Sequence, residues 1–515
     1  MLRIGIDVGG TNTDAVLMSG MRVVDWVKSA TTPDVTSGVT SALRGLLART
    51  SVATAEIAGV MIGTTHFTNA VVQRRDLMAT AVVRLGLPAT RALPPMVDWP
   101  ADLRATIGNH AYLAHGGYEV DGRPIAPLDE AELRAIAADI RARGIRSLAI
   151  SAVFSPVKGD IEQQAGEILA AELPGVAITY SGEIGRIGLL ERENAAIMNA
   201  CLQDLGKKTV SAFRDALREL DIEAPLFLTQ NDGTLMSAAF AERFPVLTFS
   251  SGPTNSMRGA AFLSGLKDAI VVDIGGTTTD VGALTHGFPR EASTAVEIGG
   301  VRTNFRMPDV YSVGLGGGSL VRRDPLQIGP RSVGYELTTR ALIFGGGELT
   351  ASDVAVAAGL ASYGDRSRVA DLDPAFVGLV VERIQQIVAE TVDRMKTSAN
   401  LLPVIVVGGG SVLVRDQIAG ASELIKPDHY PVANAVGAAI AQISGEVDKV
   451  FTLSEISRDE ALQRARDEAI SRAVTAGAEP SSVQIVDVED VPLAYLPGNA
   501  TRIRVKAVGD LTLSL

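Results

Sequence analysis

Asp7-Val8-Gly9-Gly10-Thr11-Asn12-Thr13-Asp14 and Asp273-Ile274-Gly275-Gly276-Thr277-Thr278-Thr279-Asp280 are one phrase written twice, identical at six of eight positions. Each copy follows a short apolar run, Leu2 to Ile6 in the first case and Ala269 to Val272 in the second. In both, a strand ends on an aspartate, the backbone turns through two glycines, and hydroxyl side chains follow. Such a turn offers clustered N–H groups and hydroxyls to an anion, beside a carboxylate able to hold a hydrated cation. Two copies in matching contexts predict two phosphate-gripping hairpins that face one nucleotide from opposite domains.

Working outward, the first hairpin opens a meander of three strands, ending at Val27, with a helix from about Pro33 to Ala48. That order is not the strict β-α-β alternation of a dinucleotide fold. A strand at Gly59–Ile62 meets Gly63-Thr64-Thr65-His66-Phe67-Thr68-Asn69 and a helix starting there. Further strands are expected at Met78–Arg84, Ser147–Val153 and Pro245–Ser250, with helices at Asp129–Arg143, Asp160–Glu172 and Leu189–Leu220. Strand Val404–Val407 runs into Gly408-Gly409-Gly410-Ser411. Beyond Thr452 a charged helix, Glu455 to Ala476, and two strands near Val483–Val488 and Thr501–Val508 read as a small appended α+β unit. The domain expectation is therefore 1–190, 191–450 and 451–515.

Composition narrows the function classes. Apolar residues make up 46% of the 515 and aromatics 4%, so the cores should be built from Ala, Val, Ile and Leu. With 47 Lys plus Arg against 59 Asp plus Glu, the net charge of −12 argues against nucleic-acid and anionic-membrane partners. The single cysteine, Cys201, permits no internal disulfide and no C-x-x-C pair, and reads as a core thiol. No signal peptide is visible and no apolar run approaches the ~20 residues of a bilayer span, so a cytoplasmic location is expected.

Neither G-x-x-x-x-G-K-[ST] nor a complete G-x-G-x-x-G is present. The order hairpin, second hairpin, triple glycine instead resembles the actin, sugar-kinase and Hsp70 superfamily. That resemblance implies an α/β fold of two ribonuclease-H-like domains around a nucleotide cleft, here with the C-terminal α+β unit added. Asp7 to Thr13 would be the first phosphate loop, Asp273 to Thr279 the second, and Gly408, Gly409 and Gly410 the adenosine motif. Asp7 and Asp273 would orient Mg2+ through water rather than in an all-protein cage.

Further phrases narrow the resemblance. Gly63 to Ala70, Glu191-Arg192-Glu193-Asn194, Asn231-Asp232-Gly233-Thr234-Leu235-Met236, Ser250-Ser251-Gly252-Pro253 and Gly316-Gly317-Gly318-Ser319 occur in this order over roughly residues 1–440. Together they resemble the A subunits of the hydantoinase/oxoprolinase family, whose typical members are longer, so a short form is expected. The resemblance implies ATP and Mg2+ as cofactors and ATP-dependent ring opening of a cyclic amide such as a hydantoin, 5-oxoproline or another lactam. A B-type hydantoinase subunit and a second copy of the chain are the protein partners to test. A small-molecule kinase on the same scaffold is the alternative reading.

Substrate-side candidates come from the same phrases. His66 is the titrating group expected near the cleft, for proton transfer or a helix-start role. Asn69 could orient a carbonyl or cap its helix. Arg192 could meet an anionic group or pair with a carboxylate, and Thr65 and Ser251 could touch substrate or shape their loops. Asn231 and Asp232 read as a turn. His110 and His115 lack the spacing of a zinc site.

Overall fold

Alternation along the first strand sets the architecture. In Leu2–Val8, Ile4, Ile6 and Val8 point to one face and pack with Val39 and Leu43 of helix Val35–Thr50 and with Phe213 and Leu217 of helix Gln203–Glu219. Gly5 and Asp7 therefore point to the other. The computed structural model describes residues 1–31, 35–156, 158–292, 296–304, 307–454, 456–494 and 499–513. The helix starts expected at Pro33 and Glu455 lie outside the described residues.

Around this strand lie, in order, Arg22–Ala30, Asn12–Ser19, Leu2–Val8, Ile57–Thr64 and Leu226–Thr229. Neighbours among the first three pair antiparallel, Ile57–Thr64 pairs parallel with Leu2–Val8, and Leu226–Thr229 parallel with Ile57–Thr64. The second sheet repeats the pattern with Val310–Val313, Thr279–Thr285, Ala269–Ile274, Leu402–Val407 and Ala421–Ile425. Here Ile270, Val272 and Ile274 face helix Pro374–Met395, while Val271 faces Met257 and Ala260. Two ribonuclease-H-like lobes result, with cores dominated by aliphatic residues.

Between the fourth and fifth strands of the first lobe the chain inserts a four-stranded parallel sheet, ordered His110–His115, Thr80–Leu87, Ser147–Ala152 and Ala177–Tyr180. Helices Glu130–Ala142 and Asp160–Glu172 cover one face and Leu189–Cys201 the other. Cys201 is buried there, as expected of a core thiol. The strand Leu226–Thr229 beyond residue 190 belongs to the first lobe's sheet. At its far edge that sheet continues through Thr234–Ser237, Gln442–Thr452, Ala500–Gly509 and Gln484–Pro492. The C-terminal α+β unit is thus joined edge-on. Its helix Arg458–Thr475 lays Ala461, Ala465, Ala469 and Ala473 on the sheet. No helix among the described residues is long and apolar enough to cross a membrane.

One local expectation fails. Pro245–Ser250 is no strand: Pro245–Thr248 is a 3-10 turn, Ser250 takes a left-handed backbone (φ 57°), and helix Ser251–Ser264 starts immediately after. Pro253 sits in the first helical turn, where a missing N–H costs nothing. The stretch Leu189–Leu220 divides at Leu202 into helices Leu189–Cys201 and Gln203–Glu219.

The inserted domain is anchored by a fully buried ion pair. Arg84 donates from Nε and a terminal nitrogen to Glu193 at 2.7 and 2.5 Å, and Ser151 Oγ donates to the same carboxylate at 2.5 Å. Removing one partner strands a desolvated charge. Glu193→Ala is expected to destabilise the protein by about 3–5 kcal/mol in denaturant unfolding, whereas a loss under ~1 kcal/mol would show the pair to be dispensable.

Candidate functional site

Both glycine hairpins are built to one register. Asp7 lies opposite Asp14 and Asp273 opposite Asp280. Gly9 N–H donates to Asn12 O (3.0 Å) and Gly275 N–H to Thr278 O (2.9 Å). The loops meet tip to tip, with Thr11 Oγ1 and Thr277 Oγ1 3.5 Å apart. Behind the second loop, Gly317 and Gly318 donate their N–H groups to Gly275 O and Gly276 O at 3.0 and 2.7 Å. Gly410 N–H donates to Ile274 O (2.7 Å). Gly408 has φ +87°, and a Cβ there would strike Asp273 Oδ1. The triple glycine thus lies flush against the base of the second loop.

The loops open onto a cavity of about 620 Å³. Asp7, Gly9, Gly10, Thr11, Asn12, Asp14 and Lys28 line it from the first lobe; Asp273, Gly275, Gly276, Thr277, Thr278, Gly408, Gly409 and Gly410 line it from the second. Thr65 and Asn69, on the loop and helix His66–Gln73, also line it, as do Leu337, Phe344 and Tyr363. Its size suits a nucleotide.

Other sequence candidates stand elsewhere. Thr13 and Thr279 are fully buried in their hairpins, where Thr279 Oγ1 donates to Leu315 O at 2.7 Å. Ser251 is buried too, its Oγ donating to Thr64 O at 3.3 Å. Arg192 gives its guanidinium to Ser181 Oγ, Ala152 O and Arg186 O at 2.9, 2.6 and 3.1 Å, which ties down the loop before its own helix. His66 is not among the residues that line the cavity, although its neighbour Thr65 is; its ring is edge-on to Phe67, and burial lowers its pKa against the pull of Asp76. Asn231 and Asp232 form the expected turn, with Gly233 at φ +82° and Asp232 paired to Lys506 at 2.7 Å.

Sequence reading missed three residues. Lys28 Nζ reaches Asp14 at 2.6 Å on the cavity wall. Asn434, on helix Ala433–Ala439, donates Nδ2–H to Asp7 Oδ2 at 2.8 Å. Ser256, on helix Ser251–Ser264, donates Oγ–H to Asp273 Oδ2 at 2.5 Å.

Burial pushes the Asp7 carboxyl up from an ordinary 3.8 to about 7, and the charges of Asp14 and Asp273 add to that; Asn434 and Lys28 oppose it. Asp273 is likewise raised by burial, opposed by Ser256 and Lys28. Burial also raises Asp280 to about 6. Asp7 Oδ1 is buried and has no hydrogen-bond donor among the described residues. Two desolvated carboxylates that repel each other, one with an unused acceptor, fit a hydrated divalent cation.

Comparison with known proteins then decides the family. Residues 3–173 match the hydantoinase/oxoprolinase N-terminal region and residues 192–366 the hydantoinase/oxoprolinase domain, together more than half of the chain. The chain belongs to the hydantoinase/oxoprolinase family. Caprolactamase subunit alpha of Pseudomonas jessenii is 28% identical over 391 residues, which cover 70% of this chain and 55% of that protein. The acetone carboxylase beta subunit of Xanthobacter autotrophicus is 26% identical, over 65% of this chain and 51% of its own. The chain spans about half the length of these relatives. Among solved structures, the ATP-dependent caprolactamase from Pseudomonas jessenii has a TM-score of 0.78 at 19% identity, covering 99% of this chain and 88% of that one. Nucleotide-free acetone carboxylase gives 0.72, also at 19% identity, with the same coverage of each chain. This member of the hydantoinase/oxoprolinase family therefore has the fold of both.

The raised Asp7 pKa has a consequence for stability. Because the folded state binds the proton more tightly than the unfolded one, the stability Asp7 lends is complete below pH 3.8 and is lost as pH rises through about 7. In Mg2+-free buffer, Asp7→Asn is expected to lose less melting temperature between pH 5.5 and pH 8 than the unmodified protein, and to be at least as stable at pH 8. Equal pH slopes would contradict a buried, strained carboxylate.

Proposed function

We propose that this chain binds Mg·ATP between its two glycine hairpins and uses the γ-phosphate to activate a cyclic amide (a hydantoin, 5-oxoproline or another lactam) for ring opening. It would act alone or as the activating subunit beside a B-type partner. The observation that carries the reading is the tip-to-tip meeting of two hairpins of identical register over one cavity lined by Asp7 and Asp273. Family membership, and the names of relatives that act on caprolactam and oxoproline, support the amide.

An unactivated amide resists water because its nitrogen is a poor leaving group and its carbonyl carbon only weakly electrophilic. Attack of the amide oxygen on the γ-phosphorus, with loss of the amide proton and departure of ADP, gives an imidate phosphate. Water can add to that carbon; the ring C–N bond then breaks with the nitrogen leaving protonated, which leaves an acyl phosphate, and a second water splits that into the ring-opened acid and phosphate. Backbone N–H groups of Gly9 to Asn12 and Gly275 to Thr278 would bind phosphate oxygens, with the Thr11 and Thr277 hydroxyls beside them. Lys28 sets an ammonium on the same wall. Asp7 and Asp273 would hold Mg2+ through water, and when bound that ion neutralises charge gathering on the transferring phosphoryl group. The apolar side chains of Leu337, Phe344 and Tyr363 on the cavity wall would receive the base. Thr65 and Asn69 line the cavity from the first lobe, where Asn69 could orient a carbonyl; His66, next to Thr65 and kept neutral by burial, could accept the amide proton.

The test is ATP turnover by the purified chain with Mg2+ and a panel of lactams, with and without a B-type subunit, following phosphate and ring opening together. Asp7→Ala and Asp273→Ala are each expected to reduce lactam-stimulated ADP formation by ~10³-fold or more while the melting transition survives. Wild-type turnover in either variant would overturn the assignment. A stable phosphorylated product with the ring intact would replace it with a small-molecule kinase.

A further inference from the structure

Two helices connect the lobes. Ser251–Ser264 leads from the first sheet to the second, and Ala433–Ala439 leads back. They cross with backbone against backbone: a Cβ on Gly259 would strike the carbonyl of Ala433, and one on Gly437 the carbonyl of Asn255. Beneath the crossing, a Cβ on Gly5 would strike the carbonyl of Ala435, so the returning helix lies flat on strand Leu2–Val8. Groups packed this closely move together or not at all.

Strand alternation turns both aspartates toward this crossing. Asp7 shares a strand face with Gly5, which Ala433–Ala439 covers, and Asp273 shares one with Val271, which packs on Met257 and Ala260 of the outgoing helix. Each helix then supplies one donor. The Asn434 amide is oriented by its own Oδ1, which accepts from Ala435 N–H at 2.8 Å, so its NH2 group faces Asp7 Oδ2 at 2.8 Å. Ser256 Oγ–H holds Asp273 Oδ2 at 2.5 Å. Both donors come from the elements that any relative motion of the lobes must bend or slide.

We infer that Asn434 and Ser256 are a matched pair of positioning residues, one on each interdomain helix, which make the placement of both aspartates follow the helix crossing and so confine phosphoryl transfer to one arrangement of the lobes. The inference rests on Mg·ATP occupying the cavity and adds how the same site is regulated. Holding a metal-orienting carboxylate by an outer hydrogen bond is typically worth ~10–100-fold in activity or metal affinity.

The test uses the full chain with Asn434→Ala, Ser256→Ala, Ser256→Thr, the double alanine variant and Gly259→Ala. Each single alanine substitution is expected to lower kcat for ATP turnover ~10–100-fold, with KM for ATP within about threefold. Ser256→Thr, which keeps the hydroxyl, should recover most of the rate. The double variant should lose little more than the worse single one, because both donors serve one site. Gly259→Ala touches neither carboxylate but spreads the crossing, and should lower kcat while Mg·ADP binding persists. Unchanged kcat in Asn434→Ala or Ser256→Ala overturns the pairing. So does an equal loss in Ser256→Ala and Ser256→Thr with a lowered melting temperature, which would mark a purely structural role. Unchanged kcat in folded Gly259→Ala overturns the link to the crossing. Absence of ATP turnover in the unmodified chain counts instead against the proposed function. Calorimetry of ADP then decides the positioning: the Mg2+ needed for half-saturation should rise ~10-fold in both alanine variants and not in Ser256→Thr, and no rise would overturn it.

Discussion

Two carboxylates, Asp7 fully buried and Asp273 half-buried, face each other where the lobes meet, and the molecule is arranged around that electrostatic cost. Removing a carboxylate from water favours its protonated form, and a second one nearby compounds the effect. The protein answers with single hydrogen bonds rather than full ion pairs. Asn434 serves one aspartate, Ser256 the other, and the Lys28 ammonium is spent directly on Asp14. Each catalytic candidate is thereby held in place without being neutralised. A fully paired Asp7 would gain stability and lose its capacity to attract a cation, so the unused Oδ1 is better understood as retained binding capacity than as a packing flaw.

The same constraint explains where the glycines are indispensable. Close approach of the two lobes needs bare backbone at the crossing of Gly259 and Gly437, and the second loop needs Gly408 in a left-handed conformation against Asp273. Had either crossing glycine carried a side chain, the helices would stand apart and their donors would fall short of the aspartates. The buried Arg84–Glu193 pair plays no comparable part. It anchors an inserted sheet far along the chain from the hairpins, and its consequence is for folding rather than for chemistry.

What the sequence revealed and what it hid divide by range. The hairpins were legible because strand, turn and hydroxyl pattern lie within eight consecutive residues, and duplication made chance an inadequate explanation. Facing was legible only in part. Thr11 and Thr277 reach the cavity whereas Thr13 and Thr279, two positions on, are buried where the strands have begun. Pro253 made helix Ser251–Ser264 look like a strand exit, since a proline in a first helical turn and one at a strand end read alike. Arg192 showed a guanidinium but not the carbonyls that consume it. Lys28 and Asn434 carry no local mark: Asn434 lies 427 positions from Asp7, among alanines that announce only a helix with small side chains.

The division of labour within the chain follows from this geometry. Under the proposed function, phosphate chemistry falls to backbone and short side chains on the two repeated hairpins, elements that can change little without losing their register. Choice of substrate would then fall to elements that the repeat does not constrain, and Thr65 and Asn69, at helix His66–Gln73, line the same cavity. That helix springs from the fourth strand of the first sheet, so Thr65 and Asn69 are fixed relative to Asp7 by the parallel pairing of Asp7 with Gly63. A substrate held there is registered against the phosphate loops through a sheet rather than a mobile loop, which preserves the alignment an in-line transfer requires.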